Sequence, residues 1–274
     1  MFNKDVKNYY EVLLNKINSR RAIISVVGLG YVGLPLSYNF IKHKFKVIGI
    51  DNDKKKISSL KKGESYISSI SNTKFKKIKF HSLTFNFNSI STSDIIIYCL
   101  PTPINNKKLP DLRILKKSID KSKKFYKKGQ LIILESTTYP GCTEDLFMPI
   151  LKSLGFEIES NFFLSYSPER EDPGNKNFNL KNTIKVVSGY GYKSLELSSN
   201  LYKKSKVKIH KTSTLKTAEM TKLLENTYRN INIGFINEMK IVADKMNLDI
   251  YEILKVAKTK PFGFNVFEPG PGVG

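Results

Sequence analysis

Gly28-Leu29-Gly30-Tyr31-Val32-Gly33 stands between the apolar, β-branched run Ala22 to Val27 and the helix-like stretch Leu34 to Lys44, and Asp51 closes the next apolar run. Each glycine in that spacing has its own task. Gly28 permits a tight turn, Gly30 lets the backbone approach a pyrophosphate, and Gly33 lets helix and strand pack closely, while the helix N-terminus offers free N–H groups to the phosphates. Tyr31 and Val32 fill the turn between them. Such a pattern is weak by itself. Here it follows a strand pattern, opens a helix and precedes an acid by about 20 residues, which is the context a dinucleotide site requires. A carboxylate at the end of the second strand hydrogen-bonds the ribose hydroxyls and repels a 2′-phosphate, so Asp51 points to NAD over NADP.

Working outward, apolar runs at 22–27, 46–50, 83–87, 95–100, 131–135, 162–166, 184–188 and 206–209 read as strands. Helical patterns near 31–43, 53–61, 112–124, 142–154 and 193–203 separate them. This alternation predicts an α/β fold, a doubly wound parallel sheet of the Rossmann type. Ligands bind at the strand ends of such sheets. Three turns therefore stand out: Pro101-Thr102-Pro103, Glu135-Ser136-Thr137-Thr138-Tyr139-Pro140-Gly141 and Ser167-Pro168-Glu169-Arg170.

Both ends of the chain carry other patterns. Tyr9, Val12, Leu13 and Ile17 recur at helical spacing, which predicts an amphipathic leader helix over 4–18. From Thr214 to about Met246 one long helix is expected, with Met220, Leu223, Leu224, Ile231, Phe235, Met239 and Val242 as its apolar positions. It breaks at Asn247 to Asp249, resumes from Ile250 to Ala257 and gives way to Pro269-Gly270-Pro271-Gly272-Val273-Gly274. The organisation expected is a leader over 1–20, a dinucleotide-binding domain over 21–213 and the start of an α-helical central domain over 214–274.

The chain has 274 residues, 40% of them apolar, enough for a buried core. Its 46 basic and 24 acidic residues give a net charge of +22, a balance that nucleic-acid binders also show. Arginine is scarce, however: Arg20, Arg21, Arg113, Arg170 and Arg229 are all there are, whereas readers of phosphates and grooves lean on the guanidinium fork. The lysines read as a solvated surface, and no nucleic-acid partner is expected. No apolar run is long enough to span a bilayer, and Lys4, Asp5 and Lys7 precede any apolar block, so no membrane association and a cytoplasmic location are expected. Cys99, Cys142 and three scattered histidines have no metal-ligand spacing, and no metal is expected. Cys142 opens a helical pattern, where a thiol could be activated, but small polar residues often occupy such a turn. Cys99, inside an apolar strand, reads as packing.

With these segments in hand, the chain resembles the nucleotide-sugar dehydrogenases, the UDP-glucose and GDP-mannose dehydrogenase family, and within it the branch oxidising UDP-N-acetylhexosamines for bacterial polysaccharides. Five ordered motifs carry the resemblance: Gly28 to Leu36, Glu135 to Gly141, Ser167 to Arg170, Ala218 to Asn226, and Thr259-Lys260-Pro261-Phe262-Gly263-Phe264. It implies an enzyme that oxidises the C6 alcohol of a UDP-sugar to a carboxylate, passing two hydrides in turn to two NAD molecules. It also implies a cysteine that captures the intermediate aldehyde as a thiohemiacetal and then carries a thioester. In the family that cysteine follows the glycine run almost at once, so the resemblance places it beyond Gly274, together with the rest of the central region and a C-terminal nucleotide-sugar domain. The expectation is a truncated dehydrogenase, or alternatively a silent NAD-binding remnant or a subunit needing a separately encoded half.

Residue by residue, the resemblance gives Thr137, Glu169, Lys222 and Asn226 catalytic roles. Lys222 and Asn226 are spaced i and i+4 on one helix face, where a cation could stabilise a developing alkoxide and an amide could place a water. Thr137 could orient a water or substrate oxygen, and Glu169 could act as a general base or hold water. Glu169, Arg170, Lys222 and Asn226 would touch the sugar substrate; Gly28, Gly30, Tyr31, Val32, Gly33, Asp51, Lys56, Thr102 and Thr137 would touch NAD. Some relatives place a second carboxylate four residues after Glu169; Pro173 stands there, leaving the use of Glu171 or Asp172 open. The long helix from Thr214 resembles the family's dimer-forming element, which implies a homodimer or a higher homo-oligomer.

Overall fold

Strands made of isoleucine, leucine and valine on both faces must be covered on both sides. That is how the chain folds in the computed structural model, which describes residues 8–67, 70–107, 109–170 and 182–271. Among these residues the strands are β1 (Ile23–Val27), β2 (Lys46–Ile50), β3 (Ser82–Thr84), β4 (Ile95–Tyr98), β5 (Leu131–Leu134), β6 (Phe163–Tyr166), β7 (Lys185–Gly189) and β8 (Ile209–Lys211). The helices are α1 (Tyr9–Asn18), α2 (Gly33–Lys42), α3 (Lys54–Lys61), α4 (Asn72–Phe75), α5 (Arg113–Ser122), α6 (Cys142–Ser153), α7 (Tyr192–Lys204), α8 (Leu215–Lys245) and α9 (Ile250–Ala257). The expected start of the leader helix, residue 4, lies outside the described residues, as do Glu171 and Asp172.

The strands form one sheet in the order β3-β2-β1-β4-β5-β6-β7-β8, reversing direction of growth between β1 and β4, where a doubly wound sheet opens its ligand crevice. Successive side chains alternate between two cores, as the strand's period of two requires. Ile95, Ile97, Leu131, Ile133 and Phe163 point to the layer holding α1, α2, α3 and α7; Ile96, Tyr98, Ile132, Leu134, Leu164 and Tyr166 point to the layer holding α5 and α6. That phase puts Glu135, the residue that follows β5, on the α7 side.

The departure from an all-parallel sheet is β7 and β8: β7 pairs antiparallel with β6, Ser165 opposite Gly189 and Tyr166 opposite Ser188, and β8 runs parallel to β7. The N-terminal residue of β7, Lys185, therefore lies beside the carboxyl ends of the parallel strands. The expected strand at 83–87 is also shorter, ending at Thr84, because polar side chains compete for the backbone. The Asn86 carboxamide takes the Asn88 N–H at 3.1 Å, and the Ser89, Ser91 and Thr92 hydroxyls bond back to carbonyls of the 3₁₀ turn Phe87–Thr92. The expected strand at 206–209 begins instead at Ile209: Lys206 takes a left-handed φ of 62° and Val207 N–H returns to the Tyr202 carbonyl.

The chain divides into two compact units, one up to Met220 and one from Thr221. In the first, the beginning of α8 is fastened by Glu219, which is buried and accepts from Gly141 N at 2.5 Å, Thr143 N at 2.9 Å and Thr143 Oγ1 at 2.6 Å. Those N–H groups belong to the start of α6, which has no cap of its own from Gly141, so a carboxylate 78 residues further along the chain serves as its cap. Glu219→Ala leaves these donors buried and unmet; it is expected to cost about 3 kcal/mol, seen as a lower urea midpoint at unchanged slope. In the second unit Ile236, Ala243, Ile250 and Leu254 form a small core with Phe264 and Phe267 against it. Asn237 pins the following loop through two bonds of 2.9 Å to the backbone of Gly270.

Candidate functional site

A cavity of about 600 Å³ opens at the carboxyl ends of β1, β2, β4 and β5. At its centre, Gly28 has φ +92°, and a Cβ there would lie 2.5 Å from the Cys99 carbonyl oxygen. Gly33 begins α2 so close beneath the turn that a Cβ would stand 1.9 Å from the Gly28 oxygen. A Cβ on Gly30, by contrast, would meet nothing within 4 Å, leaving that backbone open to the cavity. The N-terminus of α2 has no side-chain cap, and Tyr31 and Val32 join Gly28 and Gly30 in the wall. An open backbone beneath an uncapped helix end suits a pyrophosphate.

To one side, Asp51 follows β2 directly. It is buried, and its Oδ2 accepts from Leu29 N at 2.8 Å while Oδ1 accepts from Asp53 N at 2.9 Å. Each oxygen keeps a lone-pair site for a ribose hydroxyl. Lys56 stands 3.9 Å from Asp51 and 5.9 Å above the Tyr66 ring, and the Tyr66 hydroxyl donates to the Leu29 carbonyl at 2.5 Å. Acid, lysine and tyrosine thus hold the glycine turn from the β2 side. Proximity to Asp51 and burial push the Tyr66 phenol up, burial foremost.

At the other side, Thr102, Thr137 and Glu169 line the same cavity. The Thr102 hydroxyl donates to the Thr137 carbonyl at 2.6 Å and the Ser136 hydroxyl accepts from Leu100 N at 3.0 Å, so the turns after β4 and β5 are tied together. Arg170 is held differently: its guanidinium donates to the Ile184 carbonyl at 2.6 Å, and it does not line the cavity. Lys222 and Asn226 lie on α8 within the second unit. Gly33 shapes the turn from below and is not itself part of the wall.

Three side chains at or behind the cavity wall were not among the residues the sequence singled out. Glu135, almost wholly buried, lines the cavity; its Oε2 accepts from Lys185 Nζ at 2.8 Å and its Oε1 from the Tyr202 hydroxyl at 2.5 Å. Lys185 Nζ also reaches the Pro168 carbonyl at 3.3 Å, stands 3.9 Å from Glu169 and lies 5.2 Å above the Tyr202 ring. Burial alone pulls the Lys185 ammonium down, but Glu135 and then Glu169 more than reverse this, so it titrates above the ordinary lysine value. Burial pushes the Glu135 carboxyl up, against the pull of Lys185. A charged residue directly after the apolar run Leu131 to Leu134 was a readable signal for Glu135; Lys185 and Tyr202 left none, because their approach depends on the reversed β7.

Neither cysteine is poised as a nucleophile. Cys99 forms part of the cavity floor and burial pushes its thiol well up; Cys142 is buried too, its thiol pushed up to about 11 chiefly by burial. A thiolate is the reactive form, and neither site favours it.

Comparison with known proteins follows the same lines. The model of the UDP-glucose/GDP-mannose dehydrogenase family's NAD binding domain matches residues 22–206, and that of the family's central domain matches 216–274. Over 249 residues the chain is 39% identical to UDP-N-acetyl-D-glucosamine 6-dehydrogenase of Pseudomonas aeruginosa, which covers 90% of this chain and 58% of that protein. It is 33% identical to UDP-N-acetyl-D-mannosamine dehydrogenase of Methanocaldococcus jannaschii, over 92% of this chain and 58% of the relative. The structure of the UDP-N-acetyl-mannosamine dehydrogenase Cap5O from Staphylococcus aureus superimposes with a TM-score of 0.80 at 30% identity, over 92% of this chain and 61% of that one. The chain thus spans about 58% of the length of the curated relatives it matches. The glycine turn, the acid after β2 and the tied strand-end turns all fall inside the stretch matched by the NAD binding model, and the chain belongs to the UDP-glucose/GDP-mannose dehydrogenase family, with NAD the cofactor of its first domain.

Proposed function

We propose that this chain is the cofactor-binding part of an NAD-dependent UDP-sugar 6-dehydrogenase acting on a UDP-N-acetylhexosamine or a UDP-hexose. The observation that carries the reading is one cavity with a ribose acid, Asp51, at one side and Thr137 and Glu169 at the other. NAD, when bound, accepts hydride from the sugar. Gly30 and the start of α2 hold its phosphates, and Asp51, with Lys56 beside it, holds the adenosine ribose. Thr102 keeps the Thr137 turn in place. Thr137 orients the reacting oxygen or a water, and Glu169 takes or holds a proton there. Arg170, with Glu169, contacts the sugar. Lys222 stabilises the developing alkoxide, and Asn226, one turn along the same face of α8, holds a water.

Domains over 21–213 and 214–274, following a leader over 1–20, complete this reading. Leu224, Ile231, Phe235 and Met239 are exposed along α8, an apolar row that supports a homo-oligomer. Among the described residues no helix is long and apolar enough to cross a membrane; we place the protein in the cytoplasm, without nucleic acid.

Calorimetric titration tests the cofactor reading: NAD is expected to bind at least tenfold more tightly than NADP, and equal affinities would remove the role given to Asp51. For the reaction, the buried state of Cys99 and Cys142 supports a chain that by itself makes no uronic acid, the thiol for the second oxidation being supplied by neither. Incubation with NAD and UDP-N-acetylglucosamine or UDP-N-acetylmannosamine, followed by mass spectrometry, should show no carboxylate product; its appearance would overturn that assignment.

A further inference from the structure

Beyond Asp51 the cavity runs on toward the edge of the sheet, where β3 lies outside β2. A dinucleotide with its pyrophosphate on the Gly28–Gly33 turn and its adenosine ribose at Asp51 turns its base into this end. Asn52, Phe85 and Phe87, which follow β2 and β3, line it from the strand side. The remaining wall is one face of α5: Ile114, Lys117, Ser118 and Lys121 are spaced i, i+3, i+4 and i+7 and line the cavity, while Leu115, Ile119 and Ser122 are buried in the core. α5 packs on the 3₁₀ turn Phe87–Thr92, so the two walls are fixed to one another. Phe85 and Ile114 are large apolar side chains left exposed, and a flat ring laid on them covers what folding leaves open.

The polar groups at this end are mostly donors. Lys117 and Lys121, one helical turn apart, are exposed and form no ion pair among the described residues. An ammonium has three donors and no acceptor. Lys56 is engaged with Asp51 and the Tyr66 ring, and Asp51 itself already accepts from Leu29 N and Asp53 N. Asn52 and Ser118 can both give and accept. Adenine offers a donor and an acceptor side by side, its 6-amino group and N7. A 6-oxopurine offers two acceptors, O6 and N7, which is the edge that lysine reads in nucleic acids. We propose that Lys117 and Lys121 are specificity-determining residues that meet the base of the dinucleotide as donors, and that the cavity takes a 6-oxopurine such as hypoxanthine at least as well as adenine. Ribose and pyrophosphate, held by Asp51 and the glycine turn, are the same in both ligands.

The inference rests on the reading of the cavity as the NAD site, and the test separates the two. Dissociation constants of NAD and of nicotinamide hypoxanthine dinucleotide, which carries oxygen in place of the amino group at position 6 of the purine, are measured by calorimetry in the parent and in the double variant Lys117→Met, Lys121→Met. Both side chains are exposed on a helix, so the variant keeps the fold. The two ligands carry the same charge, so the general attraction of lysines for phosphates cancels in the ratio of their constants. The parent is expected to bind the hypoxanthine dinucleotide as tightly as NAD or more tightly. The double variant should weaken it about fivefold relative to NAD. A parent that binds NAD the more tightly, or a ratio that the double variant does not shift toward NAD, overturns the inference and leaves the NAD site standing. A parent that binds neither dinucleotide overturns both.

Discussion

Gly33→Ala is expected to abolish measurable NAD binding and to destabilise the fold, whereas Gly30→Ala should keep the stability of the parent and still bind NAD at least tenfold more weakly. The difference is geometric. The added methyl at Gly33 would stand 1.9 Å from the Gly28 oxygen and 3.2 Å from Cys99 Cβ, so α2 must move off β1 or the turn must open. Overpacking of this kind costs about 1–3 kcal/mol, and the displaced turn no longer aims its backbone at the cavity. At Gly30 the methyl meets no protein atom within 4 Å, so folding is indifferent to it, but it occupies the surface a pyrophosphate must touch. Thermal unfolding paired with NAD titration checks both halves; a Gly33→Ala protein that binds NAD like the parent would refute this account of the turn.

Lys185→Met, behind the cavity wall, should be more destabilising than a change at any charged residue that lines the cavity, at about 3–5 kcal/mol, because it leaves Glu135 buried without its counter-ion. Replacing both members, Lys185→Met with Glu135→Gln, should recover most of the loss. A double-mutant cycle in urea measures that coupling, and strictly additive effects would show that the pair does not interact as the 2.8 Å contact requires. The pH dependence has a definite sign. Lys185 titrates above its ordinary value, so the stability it contributes is complete below the ordinary lysine range and is lost only as pH rises through the raised value. The Lys185 contribution itself should shrink only above the ordinary lysine value of about 10.4; a Lys185→Met penalty that grows between pH 7 and pH 9 reports instead the Glu135 carboxyl, which burial pushes up and which has lost the pull of Lys185.

Much of this site was legible without coordinates. Gly28, Gly30 and Asp51 could be read because their chemistry depends on neighbours in the chain: a strand that stops, a turn that must be tight, a helix that begins, an acid after the next strand. Thr102, Thr137 and Glu169 could be placed because each follows an apolar run, and the ends of such runs converge in a doubly wound sheet. Arg170 fits that pattern too, yet its side chain turns to the Ile184 carbonyl, a partner 14 residues away that no local rule supplies. The shortening of β3 had a local cause, the Asn and Ser side chains after Thr84, but propensity alone does not say when polar side chains outcompete a ladder.

What the chain's order of residues determined by itself was therefore the dinucleotide turn, the acid that follows the second strand and the alternation of strand and helix, since period, glycine spacing and a single acid are all local facts. Only the tertiary structure decided the buried ion pair behind the cavity wall. Lys185 and Glu135 are 50 residues apart, and they meet because β7 runs against β6, putting the first residue of one strand beside the residue after the last of another. Burial then makes that meeting count, since an ammonium and a carboxylate that would scarcely notice each other in water hold each other firmly where water is excluded.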